Sequence, residues 1–265
     1  MDVMLEARQL AKAYGVGRDA LQVLGGISFA VGRGEFVSIV GPSGCGKTTL
    51  LFALAGLQRA SSGTVTFNGR PVTAPPRGVA VVFQDYSRSL FPWKSNRDNV
   101  AFGMVRVDGL SAAQKRDKAQ EMLEAVGLQG FEDKYPWQLS GGMQQRVAIA
   151  RGLASQSELL LLDEPLAAVD AQTRADMQDL LLDLAARFQQ TCLLVTHDVE
   201  EAVYMADRVV VLTRRPTVVD HEIAIDLGKR RDQITTREDH RFLAARHDVM
   251  TSIRSSRTAA AATAA

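Results

Sequence analysis

The chain has 265 residues, with 31 Lys and Arg against 30 Asp and Glu, a formal net charge of +1 and no long basic run. That balance argues against a nucleic-acid partner, and the length fits one large α/β domain with an inserted subdomain as well as it fits two domains. No apolar run approaches the length of a bilayer span, MDVMLEARQLAK lacks a signal-peptide pattern, and Cys45 and Cys192 have neither metal-ligand spacing nor disulfide density; a soluble cytoplasmic chain is expected.

In chain order, MLEARQLAKAY and LQVLGGISFAVGRGE are strand-like, and FVSIVG runs through a glycine loop into the helix TTLLFALAGL. Alternation in TVTFNGRPV around Asn68-Gly69 predicts a hairpin, because such a turn needs positive φ at both residues. Val79 to Gln84 reads as a buried strand. From about residue 86 to 154 the character changes to the loop SLFPWKSN and the helix SAAQKRDKAQEMLEAVGL, capped by Ser111 and closed by Gly127, which predicts an inserted helical subdomain. LLLLDEP is a buried parallel strand ending in acids. Helix Ala171 to Phe188, strand TCLLVTHD, helix VEEAVYMA and strand RVVVL follow, and the alternation implies a mainly parallel sheet. From about Ile234 the chain reads as helical through FLAARHDVMTSI, then ends in RTAAAATAA, a small-residue tail expected to be disordered.

The loop Gly41-Pro42-Ser43-Gly44-Cys45-Gly46-Lys47-Thr48 follows a strand and opens a helix, the context in which its spacing makes a nucleoside triphosphate site. Its backbone N–H groups can curl round a β-phosphate, Lys47 supplies a point charge and Thr48 a hydroxyl for Mg²⁺. Cys45 within it reads as a small filler. Asp163, ending a buried strand, can hold Mg²⁺ through its water shell, and Glu164 can polarise an attacking water as general base. Gln84 and His197 end two other strands and belong to the same carboxyl edge; a lone Gln or His is usually structural, so each assignment rests on that shared position.

LSGGMQQRVAIAR, Leu139 to Arg151, reads as a second glycine-led helix. Met143, Val147, Ala150 and Ala154 recur at helical spacing, while Gln144, Gln145 and Arg151 are polar. Ser140, Gly141 and Gly142 offer bare N–H groups and a positive dipole end to an anion, without a lysine. Two copies meeting head to tail would place this helix of one against the γ-phosphate held by Lys47 of the other.

In these motifs and their order, from about Val3 to Arg231, the sequence resembles the nucleotide-binding subunit of ATP-binding cassette (ABC) transporters. GPSGCGKTT resembles the Walker A loop of that family, LLLLDEP its Walker B, LSGGMQQR its signature, Gln84 its Q-loop, residues 167–170 its D-loop and His197 its switch histidine. The resemblance implies an α/β fold: a P-loop NTPase core with an antiparallel β subdomain and an inserted helical subdomain at about 86–154. It makes 3–231 the nucleotide-binding domain and 232–265 a C-terminal helical extension and tail. Tyr14 would stack on adenine; Gly41 to Thr49 would hold the phosphates of ATP; Thr48, Gln84 and Asp163 would serve Mg²⁺. Glu164 would act as base, with His197 on the γ-phosphate. Ser140, Gly141, Gly142 and Gln144 would complete the site of a second, identical nucleotide-binding subunit, and Asp170 would link the two sites. Ala167 departs from the Ser or Gly more usual there.

The resemblance also implies ATPase activity coupled to two membrane-spanning permease subunits, at the cytoplasmic face of the inner membrane, served indirectly by a periplasmic or extracellular solute-binding protein and with no nucleic-acid partner. YPWQLSGGM and VVFQDYSRSLFPWKSNRDNVAFG resemble the nitrate, aliphatic sulfonate and taurine importer group. There Leu90, Phe91 and Trp93 would help receive a short helix of the permease, or else pack the helical subdomain. Lipid or other non-import traffic stays open as an alternative. A DNA-directed ABC ATPase is disfavoured, because no sustained heptads lie between Thr48 and Leu139.

Overall fold

The computed structural model describes residues 2–263 except 16, 18, 19, 86–88 and 168, with side chains as far as Ser256. The expected start of the helical insertion at 86 and one residue of the 167–170 segment therefore lie outside the described residues. The elements in chain order are β1 (Val3–Tyr14), β2 (Leu21–Gly32), β3 (Phe36–Val40), α1 (Lys47–Leu54), β4 (Ser62–Phe67), β5 (Arg70–Pro71) and β6 (Val79–Val82). Then come α2 (Asn96–Gly103), α3 (Ala112–Ala125), α4 (Gly141–Ala154), β7 (Leu159–Asp163), α5 (Ala171–Arg187) and β8 (Thr191–Val195). The chain closes with α6 (Val199–Met205), β9 (Arg208–Leu212), β10 (Val219–Ala224), α7 (Thr235–Glu238) and α8 (His240–Thr263). Contacts divide it into two units, Met1–Pro76 with Thr191–Ala265, and Arg77–Gln190.

The first unit contains an antiparallel sheet in the order β2-β1-β4-β5. Its β4–β5 hairpin turns at Asn68 and Gly69, with φ of 48° and 71°, as the Asn-Gly pair predicts. β1 carries a bulge at Gln9 (φ 47°), where its register shifts against both neighbours; the extra residue bends the strand and strengthens its twist. Beside this sheet's strands in sequence, β3 pairs in parallel with β8 and with β9, and β10 adds to β9 antiparallel. β3 and β8 are buried at every position, which is why they read as unbroken apolar runs. α8 packs on α6, β9 and β10. Its helical backbone continues to Thr263, so the alanine-rich stretch expected to be disordered is helical that far; alanine has the best intrinsic helix propensity.

In the second unit β6 and β7 pair in parallel, and α2, α3 and α4 pack on one another. α3 opens on the predicted cap, a reciprocal box in which the Ser111 hydroxyl accepts from Gln114 N–H and the Gln114 side chain accepts from Ser111 N–H. The loop before α2 is pinned by buried Asn99, whose side chain accepts from Phe91 N–H at 2.8 Å and donates to the carbonyls of Phe91, Lys94 and Ser95 at 3.1 Å. Of the three residues expected to form a docking groove, Leu90 is a core residue at 2% exposure, whereas Trp93 is 72% exposed. Leu90 thus packs the interior of this unit, the alternative that the sequence leaves open for these residues.

Candidate functional site

The phosphate loop leaves buried β3 and enters α1, whose cap is Gly46 at φ 116°. A Cβ at Gly46 would come within 2.5 Å of Val23 Cγ1, so only glycine lets the chain turn there. Lys47 is 6% exposed, and its ammonium donates to the carbonyls of Gly41 (3.1 Å) and Pro42 (3.4 Å). Among the described residues it pairs with no carboxylate, so a buried positive charge stands over the loop. A buried ammonium is stable only with compensating partners, and two carbonyl dipoles leave room for an anion.

A second segment of the first unit reaches this loop. Thr217 Oγ1 donates to the Cys45 carbonyl, and Thr217 N–H donates to the Val23 carbonyl at 2.9 Å. This contact seats Arg214 and Arg215, both exposed, beside Pro42, Ser43, Gly44 and Cys45 around a hollow of about 480 Å³. The chain thus adds cations to the loop from a segment that the sequence motifs do not mark. Cys45 is 2% exposed, and burial pushes its thiol up despite Lys47 nearby. Tyr14 is 38% exposed; its hydroxyl interacts with Gln58 Oε1 (3.0 Å) and lies 3.4 Å from Thr49 Oγ1, while Lys12 Nζ stands 5.1 Å from the ring centroid. His197 follows β8 and is exposed.

In the second unit the apolar run of β7 ends on Asp163, 3% exposed, and the chain turns at Glu164 with φ 44°. A positive φ at a non-glycine residue costs energy and clusters at functional sites. Gln84, two residues past β6, brings its Nε2 to 3.5 Å from Glu164 Oε2. The parallel pairing of β6 and β7 therefore joins two of the residues predicted from strand ends.

Ser140 caps α4, its hydroxyl accepting from Met143 N–H at 3.4 Å, and Gln144 Nε2 donates to the Leu139 carbonyl at 3.2 Å. Asp170 caps α5, accepting from Thr173 N–H (3.0 Å) and Thr173 Oγ1 (2.6 Å). These hydrogen bonds, the hydroxyl first, hold its carboxyl below the usual carboxylate range. The stability this cap lends α5 is present above the ordinary carboxylate pKa and is lost as pH falls through the depressed value. The two helix starts meet: a Cβ at Gly142 would sit 2.9 Å from Thr173 Cγ2. Gly142→Ala is therefore expected to destabilise by about 1–3 kcal/mol through overpacking. Adding Thr173→Ser, which keeps the hydroxyl on Asp170 and removes the methyl, should recover most of that loss in thermal denaturation. No recovery would show that the cost lies elsewhere.

Two polar residues of α4 are drawn into the packing of this unit. Gln145 is fully buried, with neither amide atom hydrogen-bonded among the described residues, and Arg151 donates to Ser89 through its carbonyl (2.6 Å) and hydroxyl (2.9 Å). The helix packs on more sides than a simple amphipathic stripe requires.

A glycine loop between a buried strand and a helix, with a buried lysine, an acid-ended parallel strand and a second glycine-led helix, defines a P-loop NTPase of the cassette type. Residues 24–167, more than half the chain, match the ABC transporter family, and the chain belongs to it as an ABC ATPase. It is similar to the nitrate import ATP-binding protein NrtD of Synechocystis sp., 45% identical over 84% of this chain and 83% of the relative. It is also similar to the taurine import ATP-binding protein TauB of Yersinia pestis bv. Antiqua, 43% identical over 88% and 91%. Among solved structures, the ATP-binding cassette MJ0796, a dimer in a post-hydrolysis state bound to ADP and Pi, has a TM-score of 0.75 at 31% identity, over 84% of this chain and 99% of that one. The cassette fold expected from the sequence is the fold of this chain.

Proposed function

We propose that the chain is the ATP-hydrolysing subunit of an importer for a small solute of the nitrate, taurine or aliphatic sulfonate kind. The observation that carries this reading is the 43–45% identity, over more than four-fifths of each chain, to nitrate, taurine and aliphatic sulfonate import ATP-binding proteins. No helix among the described residues is long and apolar enough to cross a membrane, so two permease subunits would supply the path. The cassette would sit peripherally on their cytoplasmic face, with a solute-binding protein on the far side.

In this reading Gly41 to Thr49 bind the triphosphate of ATP and Tyr14 packs on the base. Lys47, already held over the loop by two carbonyls, supplies its charge without reorganisation, the condition under which fixed electrostatics accelerate a reaction. Thr48, Gln84 and Asp163 offer hydroxyl, amide and carboxylate oxygens, the hard donor set that Mg²⁺ takes. These three residues would hold the ion, which would supply charge neutralisation to the transferring phosphates. Glu164 accepts a proton from the attacking water, with Gln84 orienting its carboxylate. His197 contacts the γ-phosphate. Ser140, Gly141, Gly142 and Gln144 present the α4 N-terminus to the nucleotide of a second copy, and Asp170 sits where the two copies would communicate.

A pairing of this kind has a direct test. Glu164→Gln with Mg-ATP should double the mass seen by light scattering on a sizing column, and Ser140→Arg in that background should abolish the doubling by placing a bulky cation at the interface. A mass that stays monomeric with ATP removes the homodimer. Reconstitution with the permease, scored by uptake of nitrate, taurine and an alkanesulfonate, tests the solute class.

A further inference from the structure

The residues on either side of His197 are tied to the start of α6. Thr196, 1% exposed, donates its hydroxyl to the Glu201 carboxylate and accepts from Asp198 N–H at 3.1 Å. Asp198 Oδ1 in turn accepts from Glu200 N–H (2.8 Å) and Glu201 N–H (3.1 Å), capping the helix. Wherever the first turn of α6 goes, His197 follows. Yet α6 has seven residues, and a helix so short draws its orientation from packing and not from its own hydrogen bonds.

That packing comes from β3 and β9 on one side and from the C-terminal segment on the other. Glu200 is gripped by two arginines: Arg246 Nη1 donates to its Oε1 at 2.9 Å and Arg237 Nη1 to its Oε2 at 3.2 Å. Arg237 is itself preset, its guanidinium carbon 4.9 Å from the Tyr204 ring centroid and 5.9 Å from that of Phe242, with Nε donating to Gln233 at 3.1 Å. Tyr204 of α6 is 0% exposed and Phe242 of α8 is 1% exposed. Farther along α8, buried Val249 and a 2.7 Å hydrogen bond from Ser256 Oγ to Asp220 anchor the helix to the β10 side of the same unit.

We propose that Arg237 and Arg246 are positioning residues for His197, acting through Glu200, so that the C-terminal helix braces the switch loop and sets the turnover rate. This rests on the reading of His197 given above. The magnitudes separate positioning from bulk stability. Partly exposed ion pairs contribute about 0–1 kcal/mol each, so their loss leaves the fold standing. A displacement of about 1 Å at a reacting group can cost about 10²-fold in rate. The brace should therefore appear in kinetics and hardly at all in melting.

The experiment uses the full chain with Mg-ATP and four variants: Glu200→Gln, Arg237→Ala/Arg246→Ala, Arg246→Lys and His197→Ala. Expected for the first two is a fall in kcat of roughly tenfold with unchanged KM for ATP, the signature of an interaction used only in the transition state. Their apparent Tm should stay within about 3 °C of wild type, and hydrogen–deuterium exchange should rise in the peptide 196–205. Arg246→Lys, which keeps the charge, should retain most of the rate. If His197→Ala lowers kcat and the brace variants do not, the brace is overturned and the histidine reading stands. If the brace variants lower Tm and raise KM along with the fall in kcat, the segment is merely structural and the proposal is again overturned. If His197→Ala leaves kcat unchanged, the reading beneath it fails instead.

Discussion

Glu164→Gln should lower the rate of ATP hydrolysis by about 10²–10⁴-fold, the range that a positioned general base contributes, while ATP still binds. The substitution keeps size and an oxygen acceptor for Gln84, whose Nε2 lies 3.5 Å from the carboxylate, and removes only the capacity to take a proton. The backbone at this residue has φ 44°, beyond a strand whose four leucines are at most 1% exposed. A side chain launched from so fixed a base has a defined direction, and the cost of that backbone is offset by the packing of β7 beneath it. Phosphate release in a single turnover, set beside equilibrium ATP binding, checks the result. Loss of binding with the rate would make Glu164 a ligand, and an unaltered rate would place the base on another residue.

The largest effect on stability should come from Gly63→Ala, far from any phosphate. The bulge at Gln9 drives that residue's carbonyl toward β4, and a Cβ on Gly63 would lie 2.2 Å from the oxygen and 2.5 Å from the carbon. Both atoms are backbone and cannot swing aside as a side chain could. Gly63 also has φ 82°, which an alanine adopts only with strain. Overpacking and backbone strain each cost about 1–3 kcal/mol, so roughly 3 kcal/mol or more in total is expected. That corresponds to a fall of about 10 °C in apparent melting temperature, measurable by circular dichroism. A shift of a degree or two would mean that the bulge is free to relax.

The contrast between these two residues shows what the linear sequence makes legible. Glu164 stands out as a candidate because its surroundings are local: four leucines, an aspartate, and the grammar of a buried strand ending in acids. The Asn68-Gly69 hairpin, the Ser111 box and the phosphate loop are legible for the same reason, since each is fixed by residues within a few positions of one another. Gly63 looked like any glycine entering a strand, because the Gln9 bulge it accommodates lies more than fifty residues earlier. The same limit hid Arg214 and Arg215, which reach the phosphate loop through Thr217 bonding to Cys45, and Thr173, whose methyl lies 2.9 Å from where a Cβ at position 142 would sit. The burial of Gln145 and Leu90 is hidden for a related reason: periodicity assigns a face, but the number of neighbours a helix or loop acquires is a tertiary property. The grip of Arg237 and Arg246 on Glu200 spans 37 and 46 residues and carries no motif at all.

The two cysteines are at 2% exposure, and burial raises both thiols, that of Cys192 to about 12. Neither presents a thiolate to reagent near neutral pH, since reactivity follows thiolate fraction and access. The native chain is expected to react slowly with maleimides and nitroxide thiosulfonates, which a thiol titration of the folded protein checks. A single cysteine placed at exposed Trp93 would then carry a spin or fluorescent label by itself, giving one reporter per copy. Distances between two such reporters would then test whether two copies open and close during the proposed ATP cycle.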